Sequence, residues 1–106
     1  MSKALITEYY THLSSKNLDK LGTLLSHTVE LITPTVKTDG KTAVIAGYTE
    51  LFDAVSVISV VSTRMYEDGN TVISETDFSL DGVTTQFAEI FTITDGLIAS
   101  VHTYKN

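Results

Sequence analysis

Glu89 is the residue in this sequence best equipped for chemistry. It lies between Phe87 and Phe91 in the stretch QFAEIFTIT, and strand alternation puts all three on one face. A carboxylate between two phenylalanines loses hydration, which raises its pKa unless a cation or donors compensate. Carboxyls perturbed in this way and set in clefts are candidates for moving protons. Tyr9 and Tyr10 are adjacent phenols near the start of the chain. A phenol aimed into a pocket can donate to a developing oxyanion, or it can fill the core with its hydroxyl at an edge. His12, His27 and His102 are scattered and lack any metal-ligand spacing, so a zinc site has no support. There is no cysteine, no Gly-x-Ser-x-Gly elbow and no glycine-rich phosphate loop. Neither a metal nor an organic cofactor is implied.

The elements that must position Glu89 are read from periodicity. Residues 3–16 carry Leu5, Ile6, Tyr9, Tyr10 and Leu13 as one helical stripe. Asn17 caps a second helix with Leu18, Leu21, Leu24 and Leu25 on one side. Residues 29–33 form a short strand that Pro34 stops, and residues 35–40 read as a polar connection turning at Asp39-Gly40. Residues 42–54 place Val44, Ile45, Tyr48, Leu51 and Phe52 at helical spacing. Residues 55–104 are four apolar-rich runs separated by Asp68-Gly69, Asp81-Gly82 and Asp95-Gly96, which predicts an antiparallel meander through type I′ turns. Helices first and strands afterwards make the class α+β, with the helices on one face of the sheet.

Two-residue turns fix a register in which Glu67 faces Asn70, Leu80 faces Val83 and Thr94 faces Leu97. One face then gathers Ser59, Val61, Thr63 and Met65, then Val72, Ser74, Thr76 and Phe78. It continues with Thr85, Phe87, Glu89 and Phe91, then Ile98, Ser100, His102 and Tyr104. The three phenylalanines assign this face to the helices and to a pocket. Thr76, Phe78, Phe87, Phe91 and Tyr48 are the expected ligand-binding residues. Glu89 faces His102 in this register, which offers a proton-transferring pair or a structural one. A single bulge in the last hairpin would turn His102 to the other side. The opposite face carries Val60, Arg64, Tyr66, Ile73, Glu75, Asp77, Ala88, Ile90, Ala99 and Val101. It is too apolar for a wet face, and a homodimer through it is the economical reading. Arg64 with Glu75 or Asp77 reads as an ion pair of that interface.

Composition narrows the partners. The chain has 106 residues, 42% apolar and 19% charged, enough for one domain, 1–106, with a single core. Its net charge of −6, with Arg64 the only arginine, disfavours nucleic acid. No run resembles a membrane span or a signal peptide, so a cytoplasmic protein without membrane contact is expected.

The runs EYYTHLSSKNLDKLGTLL, TVELITPTVKTDGKTAVIAGYTELF and QFAEIFTITDGLIASVHTY together resemble the nuclear transport factor 2-like superfamily. Ketosteroid isomerase and the SnoaL-like polyketide cyclases belong to it. The resemblance implies a cystatin-like cone, a curved and mainly antiparallel sheet around N-terminal helices, with a pocket inside and dimerisation through the back of the sheet. It also implies that the isomerase's oxyanion-hole tyrosine falls on Tyr9 and its protonated acid on Glu89. The isomerase's catalytic base falls on Leu31, which cannot take a proton. The epoxide hydrolase branch uses an Asp-Arg-Asp set in its pocket, which the outward Arg64 does not match. The expectation is a small homodimeric protein whose pocket binds a compact, partly hydrophobic molecule, with proton-transfer or isomerase chemistry centred on Glu89, His102 and Tyr9. The alternative is a non-catalytic assembly module whose pocket is filled by its own side chains.

Overall fold

The computed structural model describes residues 2–105, in the order α1 (Ser2–Ser14), α2 (Leu18–Thr23), β1 (Leu25–Ile32), β2 (Lys37–Asp39), α3 (Lys41–Ala54), β3 (Ile58–Asp68), β4 (Thr71–Leu80), β5 (Val83–Thr94) and β6 (Leu97–Lys105). The stripe on α1 buries Ile6, Tyr9, Tyr10 and Leu13. Asn17 caps α2, its side chain accepting from the Lys20 amide at 3.2 Å. Lys16 adopts a positive φ of 56° between the two helices. Its ammonium donates to the Phe52 carbonyl at 2.9 Å and to the Val55 carbonyl, a cation on the open carbonyls at the end of α3.

The strands form one open, six-stranded sheet in the order β2-β1-β6-β5-β4-β3. Every pairing is antiparallel except β1 with β6. β2, read as a polar connection in the sequence, pairs with β1 over three residues at the sheet edge. The helices cover one face: α1 packs on β3 and β4, and α3 on β1 and β2. No helix among the described residues is long and apolar enough to cross a membrane.

Two of the three Asp-Gly turns take positive φ at both central residues, as the I′ form requires: Asp81 (49°) with Gly82 (87°), and Asp95 (53°) with Gly96 (76°). The first turn sits one residue further on. Asp68 pairs with Thr71, leaving Gly69-Asn70 as the loop with positive φ at Gly69 alone. Glu67 therefore faces Val72, not Asn70. That slip moves the pairing by two positions and leaves the faces unchanged.

The bulges do change the faces. Ser62 pairs with Thr76 and Arg64 with Glu75, so Thr63 is an extra residue in β3. Ile93 pairs with Ile98 and Thr92 with Ser100, so Ala99 is the extra residue in β6. An inserted residue inverts alternation beyond it. In β3 the inward residues are consequently Ile58, Val60 and Ser62, followed by Met65; the expected Ser59, Val61 and Thr63 are not among them. In β6 the inward residues after Ile98 are Val101 and Thr103, while Ser100, His102 and Tyr104 lie on the other face. β4 and β5 carry no bulge between them, and there the expected inward set Val72, Ser74, Thr76, Phe78, Phe87, Glu89 and Phe91 holds.

Candidate functional site

The site is built where three strands and two helices converge. Ser74 on β4, Glu89 on β5 and Thr103 on β6 are directly opposed and form one row on the inner face. The row runs beneath α1, and Glu89 is only 7% exposed. The Thr103 hydroxyl donates to Glu89 Oε2 at 2.7 Å, and the Tyr10 hydroxyl donates to Oε1 at 2.7 Å. Burial pushes the Glu89 carboxyl up, and these two donors oppose the shift. The same burial, with the Glu89 carboxylate close by, raises Tyr10. Tyr10 therefore stays a neutral donor.

Tyr9 and Tyr10 diverge because successive helical residues project about 100° apart. Tyr10 reaches the sheet. The Tyr9 hydroxyl meets the Tyr48 hydroxyl of α3 instead, and both phenols are pushed up by burial. Phe91 holds the pair in place, its ring edge-on to Tyr9 at 5.6 Å and to Tyr10 at 5.9 Å.

A cavity of about 610 Å³ opens beside Glu89. Its walls are mainly apolar, with Leu31, Leu51, Phe78, Leu80, Val83 and Phe87 among them. Thr33, Thr35, Thr38, Tyr48, Thr85, Glu89, Thr103 and Lys105 also line it. Among the described residues, Glu89 is the one carboxyl in its wall. Leu31 lines the same cavity, so the position that the resemblance assigned to a base is an apolar wall. Its neighbour Glu30 points away and lies 3.6 Å from the Lys37 ammonium.

The expected site residues thus divide. Glu89, Phe78, Phe87 and Tyr48 line the cavity. Tyr9, Thr76 and Phe91 are fully buried behind it. His102 is removed from the site: the Ala99 bulge pairs it with Ile90 and stacks it on Tyr104, ring centres 4.2 Å apart, on the outer face. Thr103 takes the place expected for His102. Thr103 and Tyr10 were the partners that sequence reasoning missed. The apolar neighbours of Glu89 signalled that it needs donors, but the identity of the donors depends on one bulge and on the seating of one helix.

The remaining histidines are dispersed. His12 lies 3.4 Å from Glu8 one turn earlier on α1, and His27 is exposed on β1. No group of three or more potential metal ligands occurs among the described residues.

Residues 6–101 match the family model of the SnoaL-like domain. No curated protein matches the sequence. Among solved structures, an NTF2-like protein of unknown function from Cytophaga hutchinsonii superposes with a TM-score of 0.88 at 20% identity, covering 100% of this chain and 90% of that one. An LEH-like epoxide hydrolase from M. tuberculosis superposes at 0.89 with 15% identity, covering 99% and 82%. A protein with a ketosteroid isomerase-like fold from Catenulispora acidiphila, solved in complex with trimethylamine, superposes at 0.83 with 18% identity, covering 96% and 85%.

Proposed function

The chain belongs to the SnoaL-like domain family of the nuclear transport factor 2-like superfamily, and on that premise we propose that it binds a compact, partly hydrophobic small molecule and moves a proton on it through Glu89. The observation that carries this reading is a single carboxyl, raised by burial, at the wall of a mainly apolar cavity. A neutral carboxyl there donates to a carbonyl or hydroxyl of the ligand; once ionised, it takes a proton back. Tyr10 and Thr103 hold both oxygens and make either state tolerable. Leu31 supplies no second base, which leaves Glu89 as the carboxyl of the wall that can exchange a proton with the ligand. One neighbour with a ketosteroid isomerase-like fold was solved in complex with trimethylamine and another is an LEH-like epoxide hydrolase, and these two lend the pocket reading general support. A cavity packed with its own side chains, the assembly reading, is disfavoured by the open volume beside Glu89.

The outer face supports a homodimer. Tyr66, Ile73, Ile90 and His102 form one row across four strands, and Ile73 and Tyr66 are 39% and 50% exposed. An apolar row of that length in the middle of a sheet calls for a cover, and a two-fold contact supplies one.

Native mass spectrometry of freshly purified protein, followed by amide NMR titration with cyclohexanone and 2-naphthol, tests the pocket. Binding is expected to shift the amides of Leu31, Phe87 and Thr103, and Glu89→Gln is expected to weaken it while leaving the spectrum folded. Absence of any shift with both probes, together with an adduct-free mass, would overturn the pocket reading.

A further inference from the structure

A bound hydrophobic ligand would displace water from the cavity and cut Glu89 off from bulk protons on that side. On the far side Glu89 is joined to a continuous run of hydroxyls. Tyr10 Oη lies 2.7 Å from Glu89 and 3.0 Å from Thr76 Oγ1. Thr76 Oγ1 lies 2.8 Å from Ser74 Oγ, and Ser74 Oγ lies 2.8 Å from Ser62 Oγ. Ser74 and Thr76 are almost completely buried, and Ser62 is half-buried. Ser62 lines a second, open cleft of about 580 Å³ between α1 and β3, whose walls also include Thr7, Thr11, Ser14 and Tyr10, the last only 3% exposed. The two cavities share no lining residue.

We infer that Ser62, Ser74, Thr76 and Tyr10 form a proton relay that connects Glu89 to solvent in the α1–β3 cleft, independently of the ligand cavity. The relay rests on the reading of Glu89 as the proton-transferring group. Every hydroxyl in it is both donor and acceptor, so the chain has two complete polarities. With Glu89 ionised, Ser62 donates to Ser74, Ser74 to Thr76, Thr76 to Tyr10, and Tyr10 to Glu89. When a proton enters, Ser62 accepts one from cleft water and each hydroxyl passes its own proton to the next. Glu89 gains one proton, and no hydroxyl gains or loses one overall. The reversed chain then ends with Ser62 donating to the Arg64 carbonyl, an acceptor 3.1 Å away. The Thr63 bulge makes this end possible. It keeps Ser62 opposite Thr76 while bringing the Arg64 carbonyl within its reach. Rotation of the hydroxyls restores the first polarity.

The test plugs the ligand cavity and times proton uptake. The chain has no cysteine, so Thr85→Cys in the cavity wall can be labelled at one site with benzyl methanethiosulfonate. Infrared detection after a pH jump follows the Glu89 carboxyl band, assigned by its loss in Glu89→Gln. The plugged protein is expected to protonate Glu89 about as fast as the unplugged one. Adding Ser74→Ala, or Ser62→Ala at the half-buried end, is expected to slow the plugged protein by about tenfold or more and the unplugged protein far less, since its cavity route stays open. Equal rates in the plugged protein with and without Ser74 and Ser62 would overturn the relay. Failure of cyclohexanone and 2-naphthol to bind bears instead on the pocket reading, because the pH jump contains neither.

Discussion

The two faces of one sheet solve opposite problems. The inner face buries a carboxyl and a row of hydroxyls and satisfies all of them. Among the described residues no buried side-chain polar atom lacks a partner. The outer face leaves Val61, Tyr66, Ile73 and Tyr104 substantially exposed. On the inner face polar groups are admitted one at a time, each beside a donor or acceptor on the next strand or on α1. On the outer face apolar groups stay in water. The contrast teaches that polarity alone does not identify the buried side here. Hydrogen-bond satisfaction does.

Substitutions on the inner face should cost most, and the largest effect is expected from Phe91→Ala. Its ring is completely buried against Tyr9 and Tyr10, so the loss should be about 3–5 kcal/mol in urea unfolding. A loss no larger than that of an outer-face substitution would break the comparison.

Tyr10→Phe removes a donor to Glu89 and a partner of Thr76, and should cost about 1–3 kcal/mol. It should also raise the Glu89 carboxyl further, since Tyr10 is one of the two groups holding it down. Infrared titration of the carboxyl band checks that direction.

Glu89→Gln sharpens the comparison through pH. The folded pKa of Glu89 is raised above its unfolded value, so the folded state holds the proton more tightly. Its contribution to stability is therefore most favourable below the unfolded carboxylate value, declines as pH rises through the folded pKa, and is constant above it. The stability of the Gln variant relative to the unsubstituted protein should rise across that window and then level off. Urea unfolding at a series of pH values measures the difference, which cancels the other acidic residues.

On the outer face, Ile73→Thr should change the stability of an isolated subunit by about 0.5 kcal/mol or less. Ile90→Asp should instead shift the species seen by light scattering from dimer to monomer. A subunit already monomeric before substitution would remove the case for a cover on that face.

Much of this was legible in the sequence. The stripes on α1 and α3, the Asn17 cap, the turns at Asp81-Gly82 and Asp95-Gly96 and the inner set on β4 and β5 follow from spacing and turn chemistry alone, whereas the first turn falls one residue beyond Asp68-Gly69. Glu89 was legible too, because a carboxyl flanked by Phe87 and Phe91 is an exception that needs a reason. The bulges were not. Thr63 and Ala99 have no composition that distinguishes them from paired neighbours, yet each reverses the faces of everything beyond it. That is how Thr103 came to stand where His102 was expected. The choice of Tyr10 over Tyr9 was hidden for a different reason. Both lie in the buried stripe, and only the seating of α1 on the sheet decides which one reaches the carboxyl. β2 was missed because a three-residue edge strand takes its identity from its partner, not from its own residues.

The parallel pairing of β1 with β6 has a consequence in time. Residues 25–32 join the sheet of the meander only through residues 98–102, which follow far later in the chain. The hairpins of residues 58–94 need only local contacts and can form earlier, whereas joining β1 to β6 must close a long loop first. The expected order of events during refolding is meander first and β1 last. Pulse-labelled amide exchange reads it directly, and protection at Val29 as early as at Ile90 would reverse that order.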